Sequence, residues 1–311
     1  MAFGRDLPHS FKAALELAKK LLQANHALVE RNTVDTEAEQ IVIAAFRRVT
    51  GKSLTRMELF SRMEDRLPES VAEHVLTFAI ARTEGKPLQY LTGFQVFLDH
   101  EYEVGPDVLV PRPETEILAV TAMDELGRGY PPPITGFEVG LGSGVLSIEL
   151  LSRFPGLKMT ASELRPEAGA RALKNATRIL GASGLARLHI VRATDPLSVW
   201  EPFQDVDRAD FLISNPPYLT ATDPIDEEVR KHEPWAALFA PENDPLYFYR
   251  EIASRAKSFL KEKSSVFLEI PHPRAQAILD LFLESGFSTR LVKDLTGRDR
   301  VLVATVALNK N

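Results

Sequence analysis

Apolar and polar positions divide the chain into two patterns. Over residues 1–84 the apolar residues recur at helical spacing. Phe11, Leu15, Ala18 and Leu22 share one helical face, with Ser10 as its N-cap. Ile41, Val42, Ala45, Phe46 and Val49 share another, in a helix that Asp35 would cap and Gly51 would stop. Met57, Leu59, Phe60 and Met63 mark a shorter segment. Pro68 opens a further helix that buries Val71, Val75, Phe78 and Ala79 and ends at Gly85. A small helical-bundle domain is predicted here, and nothing in its pattern is catalytic.

Residues 85–112 change character. Tyr90, Phe94, Val96, Phe97, Tyr102, Val104, Val108 and Val110 favour strands, with a turn at Asp99-His100, which predicts a connecting hairpin. Pro111 and Pro113 stop it, and a helix is expected over 114–126, followed by a loop through Pro133. From Ile134 the chain alternates. Strands are expected at 137–139, 158–162, 187–192, 210–214 and 265–270, and helices at 145–153, 166–180, 246–260 and 274–285. That repetition predicts an α/β fold, a mostly parallel sheet covered on both faces. Residues 289–295 and 300–308 are separated only by Thr296-Gly297-Arg298-Asp299, too short for a helix, so they should pair as an antiparallel terminal hairpin. The domains expected are thus 1–84, 85–112 and 113–311.

Composition narrows the chemistry. The 311 residues are 44% hydrophobic and 26% charged, as in ordinary globular proteins. There is no cysteine, which excludes disulfides, thiolate metal sites and a cysteine nucleophile. The first eight residues lack the apolar run of a signal peptide, and no stretch approaches the roughly 20 apolar residues that cross a bilayer. A cytoplasmic protein without a membrane partner is expected. A formal charge of −6, with no basic block, argues against direct nucleic-acid binding. The histidines show no metal-ligand spacing, so no metal is expected. A monomer is expected.

Two motifs carry chemistry. Gly140-Leu141-Gly142-Ser143-Gly144 lies between a short apolar strand and a helix. Glycines permit a sharp turn and a close approach of ligand to backbone, and ligands of open sheets sit beyond the carboxyl ends of the strands. A dinucleotide site expects a third small residue where Val145 stands. S-adenosylmethionine, which has no phosphate, suits the site better. Glu138 before the turn would face its ammonium, Glu163 at the end of the second strand its ribose hydroxyls, and Asp195 its adenine amino group, with Pro196 packing on the ring. A tight structural turn flanked by solvated acids is the plain alternative.

The second motif, Asn215-Pro216-Pro217-Tyr218, follows the apolar Phe211-Leu212-Ile213. Residues preceding proline are held extended, and proline has no N–H. The segment therefore displays acceptors, the Asn215 side-chain oxygen and the Pro216 carbonyl. An amide or aromatic NH2 has two hydrogens and a delocalised lone pair. Two fixed acceptors would hold both hydrogens and direct the nitrogen at a methyl group, and Tyr218 would stack on the planar group. Asn215, Pro216 and Tyr218 are the catalytic candidates, with Pro217 completing the substrate site. The alternative is a rigid turn after a buried strand. Arg112 is expected to pair with Glu114 or Glu116, or to steer a cofactor. The loop 222–233, with His232-Glu233-Pro234 at its end, shapes the substrate mouth or forms a solvated lid.

The motif set resembles class I S-adenosylmethionine-dependent methyltransferases of exocyclic amino groups or glutamine amides. A narrower resemblance lies outside the glycine turn. Val110-Pro111-Arg112-Pro113-Glu114-Thr115-Glu116, the upstream Gly85-Lys86-Pro87-Leu88-Gln89-Tyr90-Leu91-Thr92-Gly93 and the final Asp294-Leu295-Thr296-Gly297-Arg298-Asp299-Arg300 are similar to release-factor glutamine methyltransferases. That resemblance implies a Rossmann-like catalytic domain behind a helical substrate-recognition domain. It implies N5-methylation of the glutamine in the Gly-Gly-Gln loop of class 1 peptide chain release factors. It also implies cofactor binding at Gly140 to Gly144, Glu163 and Asn215, and substrate binding at Asn215 to Tyr218. Members of that family usually carry aspartate and threonine where this chain has Glu138 and Leu141, and glycine where it has Pro271. A DNA or RNA amino-methyltransferase and a non-catalytic S-adenosylmethionine-binding protein are the other readings of the same motifs.

Overall fold

A computed structural model describes residues 7–306. Residues 1–6, part of the stretch scanned for a leader, and 307–308, the end of the expected last strand, lie outside the described residues. The chain forms two units. One comprises residues up to Phe94 together with Asp226–His232, and the other Gln95–Ile225 with the residues from Glu233 onward.

The helical unit contains α1 (Phe11–Leu22), α2 (His26–Glu30), α3 (Val34–Thr50), α4 (Arg56–Ser61), α5 (Glu69–Thr83) and α6 (Leu88–Thr92). Its core joins Phe11, Leu15 and Leu22 to Ile41, Val42, Val71 and Val75, as the periodicity requires. Ser10 caps α1 by accepting from the Ala13 amide at 3.2 Å, and Gly51 ends α3 in the left-handed region at φ 71°. Three details differ from the sequence reading. Asp35 lies inside the first turn of α3, and Thr33 is the N-cap residue. Thr55 and Glu58 form a capping box that starts α4. Tyr90 lies in α6, a short helix bounded by Pro87 and by Gly93 at φ 82°, where the residue pattern predicts a strand. The helical unit accordingly runs past residue 84, to Phe94.

The second unit begins at Gln95, inside a hairpin of β1 (Phe94–Phe97) and β2 (His100–Glu103) whose turn falls at Leu98-Asp99, with Leu98 at φ 47°. Val104, Val108 and Val110 are buried but outside any strand. They lead into α7 (Pro113–Gly129), which covers part of the expected loop. Then come β3 (Ile134–Val139), α8 (Val145–Arg153), β4 (Leu157–Glu163), α9 (Pro166–Leu185), β5 (Leu188–Arg192) and β6 (Ala209–Ser214). After β6 the short α10 (Glu227–His232) groups with the helical unit. There Glu228 accepts from the buried Arg82, 3.1 Å away, while Glu37 holds the other edge of the same guanidinium at 2.5 Å. The second unit resumes with α11 (Trp235–Leu238), α12 (Tyr247–Phe259), β7 (Leu260–Glu269), α13 (Ala275–Glu284), β8 (Phe287–Lys293) and β9 (Asp299–Val306).

The seven strands are ordered β5-β4-β3-β6-β7-β9-β8. The first five pair in parallel, and β9 is antiparallel to both β7 and β8. This is the mostly parallel sheet with an antiparallel ending of class I methyltransferases. Chain direction across the sheet reverses at β3, flanked by β4 and β6, which is the switch point where open α/β sheets bind ligands. Central β3 and β6 are buried almost throughout. Gly136 on β3 is required by packing: a Cβ there would lie 2.3 Å from the Phe211 ring and 2.6 Å from the Met159 sulfur. Among the described residues, no helix is long and apolar enough to cross a membrane.

Candidate active site

A cavity of about 1170 Å³, counting the open space at its mouth, lies beyond the carboxyl ends of the strands. Both sequence motifs open onto it. Gly140, Leu141, Gly142 and Ser143 line it, as do Glu138, Glu163, Asp195 and Pro196, and so do Asn215, Pro216 and Pro217. Two predicted residues do not. Gly144, at φ 87°, starts α8 and packs against Ile148 and Ala172. Tyr218 packs instead against the core that contains Tyr249.

The glycine turn is fixed from beneath. The amides of Gly140 and Leu141 both donate to the Ser162 carbonyl, at 3.1 and 3.0 Å. Asn175 is fully buried, and its Nδ2 donates to the Ser143 carbonyl at 3.0 Å. A Cβ on Gly140 or Gly142 would meet no described protein atom within 4 Å. The backbone therefore lies bare where the cavity needs room, and this is the feature that fits a bound cofactor. Leu141 turns its side chain onto Ala161 and Ala172.

The acids differ in how far they are committed to the protein. Glu163 accepts from the Gly142 amide at 2.8 Å through one oxygen and from the Arg165 amide at 3.0 Å through the other. Asp195 accepts from the Leu197 amide at 2.9 Å. Glu138 is fully buried, and its Oε2 accepts from both the amide and the hydroxyl of Ser147. Burial pushes its carboxyl up to about 8, against which the two Ser147 hydrogen bonds act. Its Oε1 has no donor among the described residues.

On the other side of the site, Asn215 Nδ2 donates to Thr115 Oγ1 at 3.1 Å. Thr115 Oγ1 donates to Glu269 Oε2 at 2.6 Å. Glu269 is fully buried at the end of β7, and burial raises its carboxyl to about 7. Asn215 Oδ1 is left without a donor among the described residues, on a side chain that lines the cavity. Arg112 pairs with Glu233 at 2.5 Å, not with Glu114 or Glu116. Glu233 also accepts from the Val110 amide at 3.1 Å, and so ties the Pro-Arg-Pro stretch to the segment whose Pro234, Ala236 and Ala237 line the cavity. Glu114 meets Arg300 at 3.4 Å, and Glu116 accepts from the Leu98 amide. Three residues of the site escape a sequence reading of the chemistry: Thr115, Glu269 and Phe248, the last an aromatic lining the cavity from α12.

Residues 14–93 match a family model described as the PrmC N-terminal domain. A release factor glutamine methyltransferase of Chlorobaculum tepidum is 33% identical over 261 residues, covering 80% of this chain and 84% of that protein. This chain belongs to the release factor glutamine methyltransferase family. Its likeness to the Aquifex aeolicus release factor glutamine methyltransferase spans 92% of this chain and 98% of that one, at 29% identity. Among solved structures, the release-factor-specific protein-(glutamine-N5) methyltransferase of Alicyclobacillus acidocaldarius is 29% identical, with a TM-score of 0.40, over 66% of this chain and 98% of that one. The family match to the N-terminal unit covers α2 to α6 in full and extends to Gly93, so the family's own boundary falls close to the end of that unit.

Proposed function

We propose that this protein methylates the side-chain amide nitrogen of the glutamine in the Gly-Gly-Gln loop of class 1 peptide chain release factors, with S-adenosylmethionine as methyl donor. One observation carries the mechanism: the Asn215 amide gives its NH2 to Thr115, and so keeps its oxygen for a ligand in the glycine-lined cavity. That oxygen and the Pro216 carbonyl accept the two hydrogens of the glutamine NH2. Held this way, the nitrogen loses rotational freedom, and the positive charge that develops on it meets two fixed dipoles. Tyr218 packs into the core behind the turn and is assigned to supporting Pro216 and Pro217, not to the face of the substrate amide.

The cofactor supplies a methyl group already activated on sulfonium, so the chain's own task is to bind and orient. Gly140, Leu141, Gly142 and Ser143 provide the bare backbone, and Gly144 sets the turn. Glu138 Oε1 accepts from the ammonium, and Glu163 from the ribose hydroxyls with its remaining lone pairs. Asp195 and Pro196 border the adenine, where Phe248 adds a flat apolar face. The helical unit recognises the release factor. We assign the protein as a monomer and place the reaction in the cytoplasm.

The test is transfer of label from S-adenosylmethionine to a purified class 1 release factor and to the same factor with the loop glutamine replaced. Label is expected in the first only. Equal labelling of both, or label in nucleic acid in place of protein, would overturn the assignment.

A further inference from the structure

Asn215 has a mirror problem. Its amide has an oxygen end and an NH2 end of nearly the same shape, and only one of them can accept hydrogens from a substrate amide. The turn that carries Asn215 does not decide between them. The neighbours do. Thr115 Oγ1 has one hydrogen and two lone pairs. An ionised Glu269 has only lone pairs, so at 2.6 Å the threonine hydrogen must point at the carboxylate. What Thr115 then offers Asn215 is a lone pair, which only the NH2 end can use, at 3.1 Å.

We propose that Thr115 and Glu269 are positioning residues that fix which way round the Asn215 amide lies, so that its oxygen is always the end presented to the substrate. The inference rests on the reading of Asn215 given above and adds what holds it in its working orientation. Neither residue touches the reacting nitrogen. Glu269 acts through Thr115, and Thr115 acts through Asn215.

The device has a pH limit. Glu269 faces Arg112 and Glu114 at the start of α7, Tyr218 after β6, Tyr249 of α12 and Arg300 of β9. The Tyr249 hydroxyl donates to the Glu269 backbone carbonyl at 2.9 Å and leaves the carboxylate alone. Burial raises the Glu269 carboxyl to about 7. Below that pH it gains a hydrogen that it can donate to Thr115. The threonine is then free to donate to the Asn215 oxygen, and the amide can turn over. Turnover should therefore fall as pH drops through about 7.

Four variants test this, Thr115→Val, Thr115→Ser, Glu269→Gln and Asn215→Ala, each measured for kcat and KM with a release factor substrate. Thr115→Val keeps the shape and removes both hydrogen bonds; kcat should fall about tenfold with KM for the release factor within about twofold. Thr115→Ser restores the hydroxyl and should stay within about twofold of wild type. A glutamine in place of Glu269 can present either end of its amide to Thr115, so Glu269→Gln should lose several-fold in kcat and lose the decline below about pH 7. A second readout needs no substrate: the Asn215 side-chain NH2, identified by its absence from the NMR spectrum of Asn215→Ala, should exchange its hydrogens about tenfold more slowly in wild type than in Thr115→Val. If Thr115→Val and Glu269→Gln match wild type in kcat, pH profile and exchange while Asn215→Ala is inactive, the relay is refuted and the function stands. If wild type labels no glutamine, or Asn215→Ala is fully active, the functional reading fails, and exchange alone still decides whether the amide is held.

Discussion

On the glycine-loop side of the cavity a buried glutamate meets the space directly; on the side of the Asn-Pro-Pro-Tyr turn another reaches it only through two intermediaries. Glu138 lies one residue before the end of β3 and Glu269 ends β7, the two strands that flank β6 in the same sheet, and each is fully buried beside a hydroxyl. Their surroundings set them different tasks. The hydroxyl and amide of Ser147 both donate to one oxygen of Glu138, and its other oxygen can meet a cation as charge. Glu269 receives its hydrogen from Thr115, which passes a direction along to Asn215. One side of the site supplies electrostatics, and the other supplies the sense of a hydrogen bond.

The sharpest way to break this contrast is Asn215→Ala. Loss of a preorganised acceptor costs about 10²- to 10³-fold in turnover where charge develops in the transition state. We expect that loss in kcat, with a much smaller change in KM for the release factor and in cofactor affinity by calorimetry. A variant whose KM rose while kcat held would make Asn215 a ground-state binding residue and leave the acceptor side without its special role.

Both buried carboxyls link stability to pH, and the Glu138 side should do so more strongly because its carboxyl is raised further. The Glu138 carboxyl is raised in the folded protein to about 8 from an ordinary value of 4.5. The fold therefore binds a proton there that the unfolded chain has already lost. Its contribution to stability is complete below about 4.5 and is lost as pH rises through about 8. A glutamine in its place would never ionise, and the amide oxygen could still accept from Ser147. Glu138→Gln should thus raise the stability of the ligand-free protein by about 4–5 kcal/mol at about pH 9 and by much less at about pH 5, read from urea unfolding at each pH. The same variant should bind S-adenosylmethionine more weakly and lack the rise in affinity up to about pH 8 that is expected of wild type. Equal stability of the two proteins at the alkaline end would show that the carboxylate is solvated and not buried.

What is legible in the sequence follows the same division. The glycine turn and the diproline segment are readable because their geometry is written locally, by residues that permit positive φ or restrict their own backbone and their neighbour's. The alternation of strands and helices, and the short connection that forces an antiparallel ending, are readable for the same reason. Thr115 and Glu269 are not. Each gets its meaning from a partner 100 or more positions away, 100 for Thr115 with Asn215 and 154 for Thr115 with Glu269. Local reading assigns Arg112 to near neighbours because its actual partner, Glu233, lies 121 positions on. The α6 helix escapes it although the signal is present: Pro87 before it and Gly93 after it are the usual bracket of a short helix. The aromatic and β-branched residues from Tyr90 onward outweigh that signal, although strand propensity is the more dependent on context of the two.

The smallest effects expected lie within the glycine turn, and they separate its ligand-facing part from its packing part. Gly142 and Gly144 both have positive φ, 56° and 87°, so alanine at either costs about 1 kcal/mol or more for backbone alone. At Gly144 the added Cβ would also lie 2.9 Å from Ile148 Cδ1 and 3.3 Å from the Ala172 Cβ, so Gly144→Ala should destabilise by about 2 kcal/mol. At Gly142 the Cβ would meet no described protein atom and would occupy the cavity instead. Gly142→Ala should therefore lose only about 1 kcal/mol of stability but about tenfold in S-adenosylmethionine affinity, whereas folded Gly144→Ala keeps more of its affinity. Urea unfolding and calorimetry on the two proteins give both numbers. If Gly142→Ala binds the cofactor as tightly as wild type, the bare backbone at that position serves the turn alone, and the glycine-loop side would hold its ligand through Glu138 and Glu163 without close approach to the chain.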